Sequence, residues 1–304
     1  MSIAVLIGVH DGIVLAADSA STLTTPTPAP PGMVPGGVLN VYDNANKIFN
    51  LYKGKPIGCI TYGSGSIGNS SISTLIKDLR AILMDEEKRK TLPIIFDPGN
   101  YTMEGVSQIV ASFLADACQK QDKALLSSMN IGLLLGGYST GGSLGESWSV
   151  EIKEGKAVAP RQLRPPDQPG INWGGASEVL QRIILGYSSG LFQVLAEVSG
   201  AQDQPPATPQ QLYEQLNLLL ATKLQAALVF APMPIQDAID LGRFLVYAAI
   251  MYSRFLSGAQ IVGGPIEIAA ITKHEHFKWI SRKHYFDQSL NQEVKHVIVE
   301  SKKD

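Results

Sequence analysis

The sequence predicts an α+β fold. Apolar runs of strand length come in neighbouring pairs, helical periodicities are grouped between those pairs, and no internal repeat is visible. Residues 3–9 and 13–17 are almost wholly apolar and flank His10-Asp11-Gly12. Short apolar runs on either side of Asp-Gly read as two buried strands in a tight hairpin, with Gly12 supplying the positive φ of the turn. Residues 22–37 are rich in Pro, Thr and Gly and read as an exposed loop, part of an insertion near 22–40. Residues 47–51 and 56–62 form a second strand pair around a Lys53-Gly54-Lys55 turn.

From about residue 67 the period changes. Ile72, Leu75, Ile76, Leu79, Ile82 and Leu83 recur at helical spacing, and Lys88-Arg89-Lys90 suits the negative end of a helix dipole. A second helix is expected over 103–121, then strands near 130–136 and 148–153. Helices follow near 178–198, 208–230 and 235–255, separated by Pro205-Pro206 and Pro232-Met233-Pro234. The chain returns to strand at 266–272, and again near Trp279 and Val297. One domain over residues 1–304 is expected, with an enlarged helical segment near 200–240.

The 304 residues are 45% hydrophobic and 17% charged, the balance of a soluble protein with a sizeable core. A formal net charge of −2 gives no electrostatic reason to expect nucleic acid or an anionic membrane as partner. Cys59 and Cys118 are too few for a disulfide framework or a cysteine-based zinc site, and a reducing cytoplasmic location is expected. The first apolar run lacks a basic leader and meets His10 and Asp11 almost at once, unlike a signal peptide. Later apolar stretches are too short to span a bilayer.

Several residues invite a chemical reading. Gly63-Ser64-Gly65-Ser66-Ile67-Gly68 matches G-x-G-x-x-G between a predicted strand and a helix. Two hairpin strands precede it and no acidic residue ends a following strand, so a dinucleotide site is not expected. A glycine-rich turn still offers backbone N–H groups to a developing oxyanion. Cys59, within an apolar strand, reads as a small buried hydrophobe. His274 and His276 form a possible metal pair on one strand face, but no third ligand accompanies them, and residues 273–283 read as an edge strand. No cofactor is expected. At the start of the sequence, Met1-Ser2 is a pattern that permits removal of Met1, which leaves Ser2 with a free α-amine. An amine of pKa about 7.7–8.0 can take the proton of the serine hydroxyl near neutrality.

The run from Ser2 through His10-Asp11-Gly12 to Ala16-Ala17-Asp18-Ser19 resembles the opening of a mature proteasome β-type subunit. In that family a nucleophilic residue begins a strand, a hairpin follows, and a second strand ends in Ala-Ala-Asp-Ser. Asn46-Lys47-Ile48-Phe49-Asn50-Leu51 resembles the family's Lys-Ile strand, and Gly63 falls where its oxyanion-hole glycine precedes the first helix. Gly263-Gly264-Pro265-Ile266, with Val262 before it, is similar to the bacterial ancestral homologues (Anbu-like).

The resemblance implies the four-layer αββα sandwich of N-terminal-nucleophile hydrolases. It also implies a catalytic set of Ser2 as nucleophile and base, Lys47 as the cation beside it, Asp18 as the partner of Lys47, and the Gly63 N–H as oxyanion donor. A peptide or protein substrate and a homo-oligomeric ring or helical assembly follow from it, whereas an ATPase partner cannot be assigned. The chain departs from the family at three supporting positions, with Gly175 for a serine and Ala259 and Val262 for an aspartate and a serine. Three activities stay open: a peptidase or related amidohydrolase, a non-catalytic structural subunit, and a small-molecule acylase.

Overall fold

The computed structural model describes residues 2–25, 37–200, 208–284 and 286. The fold is α+β. In chain order the elements begin with β1 (Ile3–Val9), β2 (Gly12–Ala17), β3 (Ser21–Thr24), β4 (Val38–Tyr42), β5 (Ile48–Asn50), β6 (Ile57–Gly63), β7 (Ser66–Ile67) and β8 (Ser70–Ser71). Helices α1 (Ile72–Met84), α2 (Glu86–Arg89), α3 (Met103–Gln119) and α4 (Lys123–Leu126) follow, then β9 (Asn130–Gly137), β10 (Glu146–Lys153), β11 (Lys156–Arg164) and β12 (Gly170–Gly175). Helices α5 (Glu178–Leu185), α6 (Gly190–Gly200), α7 (Pro209–Leu224) and α8 (Ile235–Phe255) lead to β13 (Glu267–Thr272) and β14 (His276–Ser281).

Two five-stranded antiparallel sheets carry the structure, in the orders β12-β1-β2-β13-β14 and β11-β10-β9-β6-β5. The near-continuous apolar character of β1 has a direct cause, since side chains alternate between faces and both faces are covered. Ile3, Val5 and Ile7 join Leu180, Ile184, Leu245 and Val246 of α5 and α8 in one core. Ala4 and Leu6 join Ile60 and Leu134 of the other sheet in a second core between the sheets. The second sheet buries its other face under α1 and α3, where Leu79, Leu83, Val110 and Leu114 meet Leu133, Leu135, Val150 and Ile152. Each such side chain contributes roughly 1.5–3 kcal/mol when fully buried.

The β1–β2 hairpin forms as expected, with His10 and Asp11 as its two-residue loop between the paired Val9 and Gly12. Gly12 itself serves differently from the expectation. It is the first residue of β2 and is not among the positive-φ glycines. A Cβ there would lie 2.7 Å from the Ile271 carbonyl oxygen, so glycine is required by the close approach of β13.

Helix α1 buries Ile72, Leu75, Ile76, Leu79 and Leu83 along one face, and the Ser71 hydroxyl caps it by accepting the Thr74 N–H. It ends earlier than the basic run suggested, because Asp85 leaves the helix and its carboxylate caps the separate α2. The helix expected over 178–198 is broken at Gly186, which is left-handed, and the axes of α5 and α6 turn by 77°. The helix expected to reach residue 230 stops at Leu224. The 22–40 insertion is bounded by a two-stranded arm, β3 on β4, with residues 26–36 outside the described residues. Of the 200–240 segment, α7 and the start of α8 are described and residues 201–207 are not; the strand near Val297 also lies outside the described residues.

Gly12→Ala should lower stability by about 1–3 kcal/mol, the scale of overpacking against a fixed backbone. Gly8→Ala on the neighbouring strand, where a Cβ meets nothing within 4 Å, should change it by less than about 1 kcal/mol. Urea denaturation of both variants checks the contrast, and equal losses would contradict it.

Candidate active site

The register of the hairpin places the first residues of β1 against the end of β2. Ala4 pairs with Ala17, so Asp18 emerges opposite Ile3, and the Ile3 N–H donates to Asp18 Oδ1 at 2.9 Å. The Ser2 carbonyl is held from the other side by the Ala176 N–H at 2.7 Å, just past β12. Ser2 is thereby fixed at the head of a central strand and is buried. Met1 lies outside the described residues.

Asp18 is fully buried. Its Oδ1 accepts from Ile3 N–H and from the Lys47 ammonium, and its Oδ2 accepts from Ala20 N–H at 3.0 Å and Gly263 N–H at 3.1 Å. A buried carboxylate is costly unless paired and hydrogen-bonded, and here four donors meet it. The Gly263-Gly264 turn thus serves the site by presenting a backbone N–H, not by a side chain.

Lys47 immediately precedes β5, and its carbonyl accepts the Thr61 N–H at 2.9 Å, which ties it to β6. Only 4% of it is exposed. Burial pulls the Lys47 ammonium below the usual lysine range. The Asp18 charge and hydrogen bond oppose that pull, the Lys283 charge adds to it, and Glu267 opposes it. Gly63 ends β6 with φ of 89°, and a Cβ there would overlap the Asn130 carbonyl oxygen, so the position admits glycine alone.

Ser2, Lys47 and Gly63 line one cavity of about 460 Å³, together with Ser21, Thr61, Tyr62 and Lys77. Asp18 stands behind it, reaching the cavity through Lys47. All four residues singled out from the sequence therefore converge on one place. The arrangement brings a hydroxyl at a strand end, a buried cation and a glycine backbone to the lining of one cavity. Those are the parts that attack on a carbonyl carbon needs.

The positions where the chain departs from the resembled pattern have physical explanations. The Ser2 carbonyl oxygen occupies the space of any Gly175 Cβ, so serine cannot stand there on this backbone. Val262 is buried in the core under α8, and Ala259 is exposed. The Ser177 hydroxyl accepts from the Gln181 side chain and lines a different cavity from Ser2.

The sequence reading missed a second ion pair, on the buried Glu267. Lys283 Nζ lies 2.8 Å from Glu267 Oε2 and donates to Ser19 Oγ at 2.8 Å, and Ser19 Oγ donates to the Pro265 carbonyl at 2.6 Å. No local pattern announces its anchoring, because Ser19 and Lys283 stand 264 residues apart. The Ala-Ala-Asp-Ser run did contain Ser19, without showing what it would hold.

Other expectations resolve plainly. A β7–β8 ladder separates Gly63 from α1, and Ser71 caps that helix, so the glycine-rich stretch does not lead straight into a helix N-terminus. His274 lies in the turn before β14, not on a strand face with His276, whose Nδ1 is 2.8 Å from the Gly54 carbonyl oxygen. Among the described residues no group of three or more His, Cys, Asp or Glu could hold a metal ion. Cys59 is buried in the core under α1 and α3, and burial pushes its thiol up. Among the described residues no single helix is long and apolar enough to cross a membrane. No protein-family model matches the chain, and no curated protein matches it either.

Lys47→Met should cost about 3–5 kcal/mol, because it strands the Asp18 charge in the interior. Adding Asp18→Asn to it should recover part of that loss. A double-mutant cycle by urea denaturation checks the coupling, and strictly additive losses would show that the pair is not coupled.

Proposed function

We propose that this chain is a proteasome-like β-type subunit of the bacterial kind, built as the four-layer αββα sandwich of N-terminal-nucleophile hydrolases in one domain. It acts as a peptidase or related amidohydrolase with Ser2 as nucleophile once Met1 is removed. The observation that carries this reading is the meeting of Ser2, Lys47 and Gly63 in one cavity, with the Lys47 ammonium held on the buried Asp18.

The Ser2 α-amine takes the proton of the Ser2 hydroxyl, directly or through a water, as Oγ bonds to the substrate carbonyl carbon. The positive charge of Lys47 lowers the pKa of both amine and hydroxyl, so the base is free and the nucleophile is reachable near neutrality. The Gly63 N–H stabilises the oxyanion of the tetrahedral intermediate. Its collapse breaks the amide C–N bond, and the protonated α-amine returns the proton to the leaving amine. A water activated by the same amine then hydrolyses the Ser2 ester, which releases the acid and restores the hydroxyl.

Assembly with further copies of the chain is part of the proposal. Helices α7 and α8 present Tyr213 (45% exposed), Leu218 (79%), Leu219 (55%), Phe244 (52%), Tyr247 (54%) and Phe255 (78%) to the outside. Apolar surface on that scale suits contact with another subunit. Two buried free thiols suit a reducing cytoplasm. A second reading, a structural subunit without activity, is favoured by Gly175 and Val262, which give the Ser2 amine no hydroxyl or carboxylate at those positions.

Protein whose chain starts at Ser2 should hydrolyse a fluorogenic peptide panel. A form with a non-removable residue ahead of Ser2 should be inactive, because its base is then an amide. Circular dichroism and oligomer size should match in the two. Equal activity in both would overturn the N-terminal-nucleophile mechanism, and inactivity of both would favour the structural subunit.

A further inference from the structure

A second cavity of about 380 Å³ adjoins the Ser2 cavity. Asn44, Asn46 and Lys77 line both, and Arg282, Lys283, His284 and Phe286 complete the second. The two therefore meet along the Asn44–Asn46 segment and the exposed side of α1, in a groove that leads from Ser2 to the chain just after β14.

The electrostatics of this groove differ from those of the whole chain. The formal net charge is −2, yet among the described residues no Asp or Glu lines either cavity, while Lys47, Lys77, Arg282 and Lys283 do. Two of these cations are matched internally, Lys47 by Asp18 and Lys283 by Glu267. Lys77 and Arg282 make no ion pair with any described residue. Asp43 and Asp78 are close in sequence to the lining residues but are exposed and line neither cavity.

Arg80, one turn beyond Lys77 on α1, adds to the same field. Burial, and then the positive charge of Arg282, hold its guanidinium below the usual arginine range. Cations that repel one another are stabilised by an anion placed among them. The groove is also partly preorganised. The Arg282 guanidinium sits over the Trp279 ring at 4.8 Å from its centroid, and Lys283 is anchored on Glu267 and Ser19.

We propose that this groove binds an acidic segment of a peptide, with Asp or Glu side chains beside the bond that Ser2 cleaves, and with Lys77 and Arg282 as the carboxylate partners. Calling that peptide a substrate rests on the proposed role of Ser2, whereas its binding in the groove does not. A peptide fits better than a nucleic acid because the groove opens into a cavity equipped to attack a carbonyl carbon. The side-chain amides of Asn44 and Asn46 offer both donors and acceptors to an extended backbone. Two cations without an acidic partner among the described residues match a few carboxylates, not the long phosphate track that nucleic-acid binding requires.

The test uses the full chain carrying Ser2→Ala, so that binding is read without turnover. Fluorescence anisotropy compares three labelled peptides of equal length, one acidic, one neutral and one basic, with a single-stranded oligonucleotide of the acidic peptide's charge as competitor. The acidic peptide should bind about tenfold tighter than the neutral one, the scale of one hydrogen bond to a charged group. That gap should shrink at about 0.5 M salt, where screening acts within a few ångströms. Lys77→Gln and Arg282→Gln should each reduce the acidic peptide's advantage several-fold, and Lys90→Gln, on the exposed end of α2, should not. Equal binding of the three peptides, an acidic preference unmoved by the two groove substitutions, or tighter binding of the oligonucleotide would overturn the inference. Acid-selective binding without hydrolysis by the Ser2 protein would sink the peptidase reading and leave the groove standing. Hydrolysis without any acidic preference would do the reverse.

Discussion

A carboxylate placed in the interior must be surrounded by donors or it will not stay there as an anion, and Asp18 shows how much of a fold that requirement can organise. Its four partners come from the head of β1, the residue two beyond itself, the lead into β5, and the glycine turn before β13. Segments separated by up to 245 residues are thus drawn to one point. The first sheet supplies the β1–β2–β13 core around the carboxylate, and the second sheet supplies Lys47 across the interface. If the Asp18–Lys47 contact is broken, the two sheets lose a buried polar link between the end of β2 and the lead into β5.

The same contact sets the electrostatics of the cavity. Burial alone weakens the hold of Lys47 on its proton, and the adjacent Asp18 works against that loss. The Glu267–Lys283 pair, anchored on Ser19 next to Asp18, lies within electrostatic reach and contributes both signs. Two ion pairs on fully buried carboxylates therefore stand at the neighbouring Asp18 and Ser19, and in each the anion comes from the first sheet. Of the cations that line the two cavities, Lys77 and Arg282, which pair with no described acid, lie along the outer groove, on α1 and after β14. That separates a neutralised interior from a positive approach.

Much of this was legible in the sequence wherever a local pattern had a local cause. The apolar runs of β1 and β2 announced strands buried on both faces, and the Ile72-to-Leu83 period announced α1. Ser2, Asp18, Lys47 and Gly63 were legible through the resemblance to a proteasome β-type subunit, and each sits at or beside the end of a strand whose apolar run could be read. Strands β11 and β12 were not legible. Residues 156–164 are mostly exposed, carry no regular apolar alternation and contain Pro160, and they form a strand by pairing with the edge that β10 offers. The Gly186 break was hidden by an apolar period that continues on both sides of it. Gly12 was assigned the right residue type for the wrong reason, since its neighbour in space, Ile271, is remote in sequence. The joining of Lys77 to Arg282 in one groove escaped for the same reason, as did the hold of Ser19 on Lys283.

The central claim is that Ser2 is a nucleophile whose own α-amine is the base. The most direct measurement is peptide mapping by mass spectrometry after brief exposure of the Ser2-start protein to an activated acyl ester. The account predicts one acyl group, carried on Ser2 Oγ of the N-terminal peptide, and no such adduct in a Lys47→Met variant whose circular dichroism matches the parent. Acylation spread over surface lysines with Ser2 unmodified, or Ser2 acylated equally with and without Lys47, would contradict it.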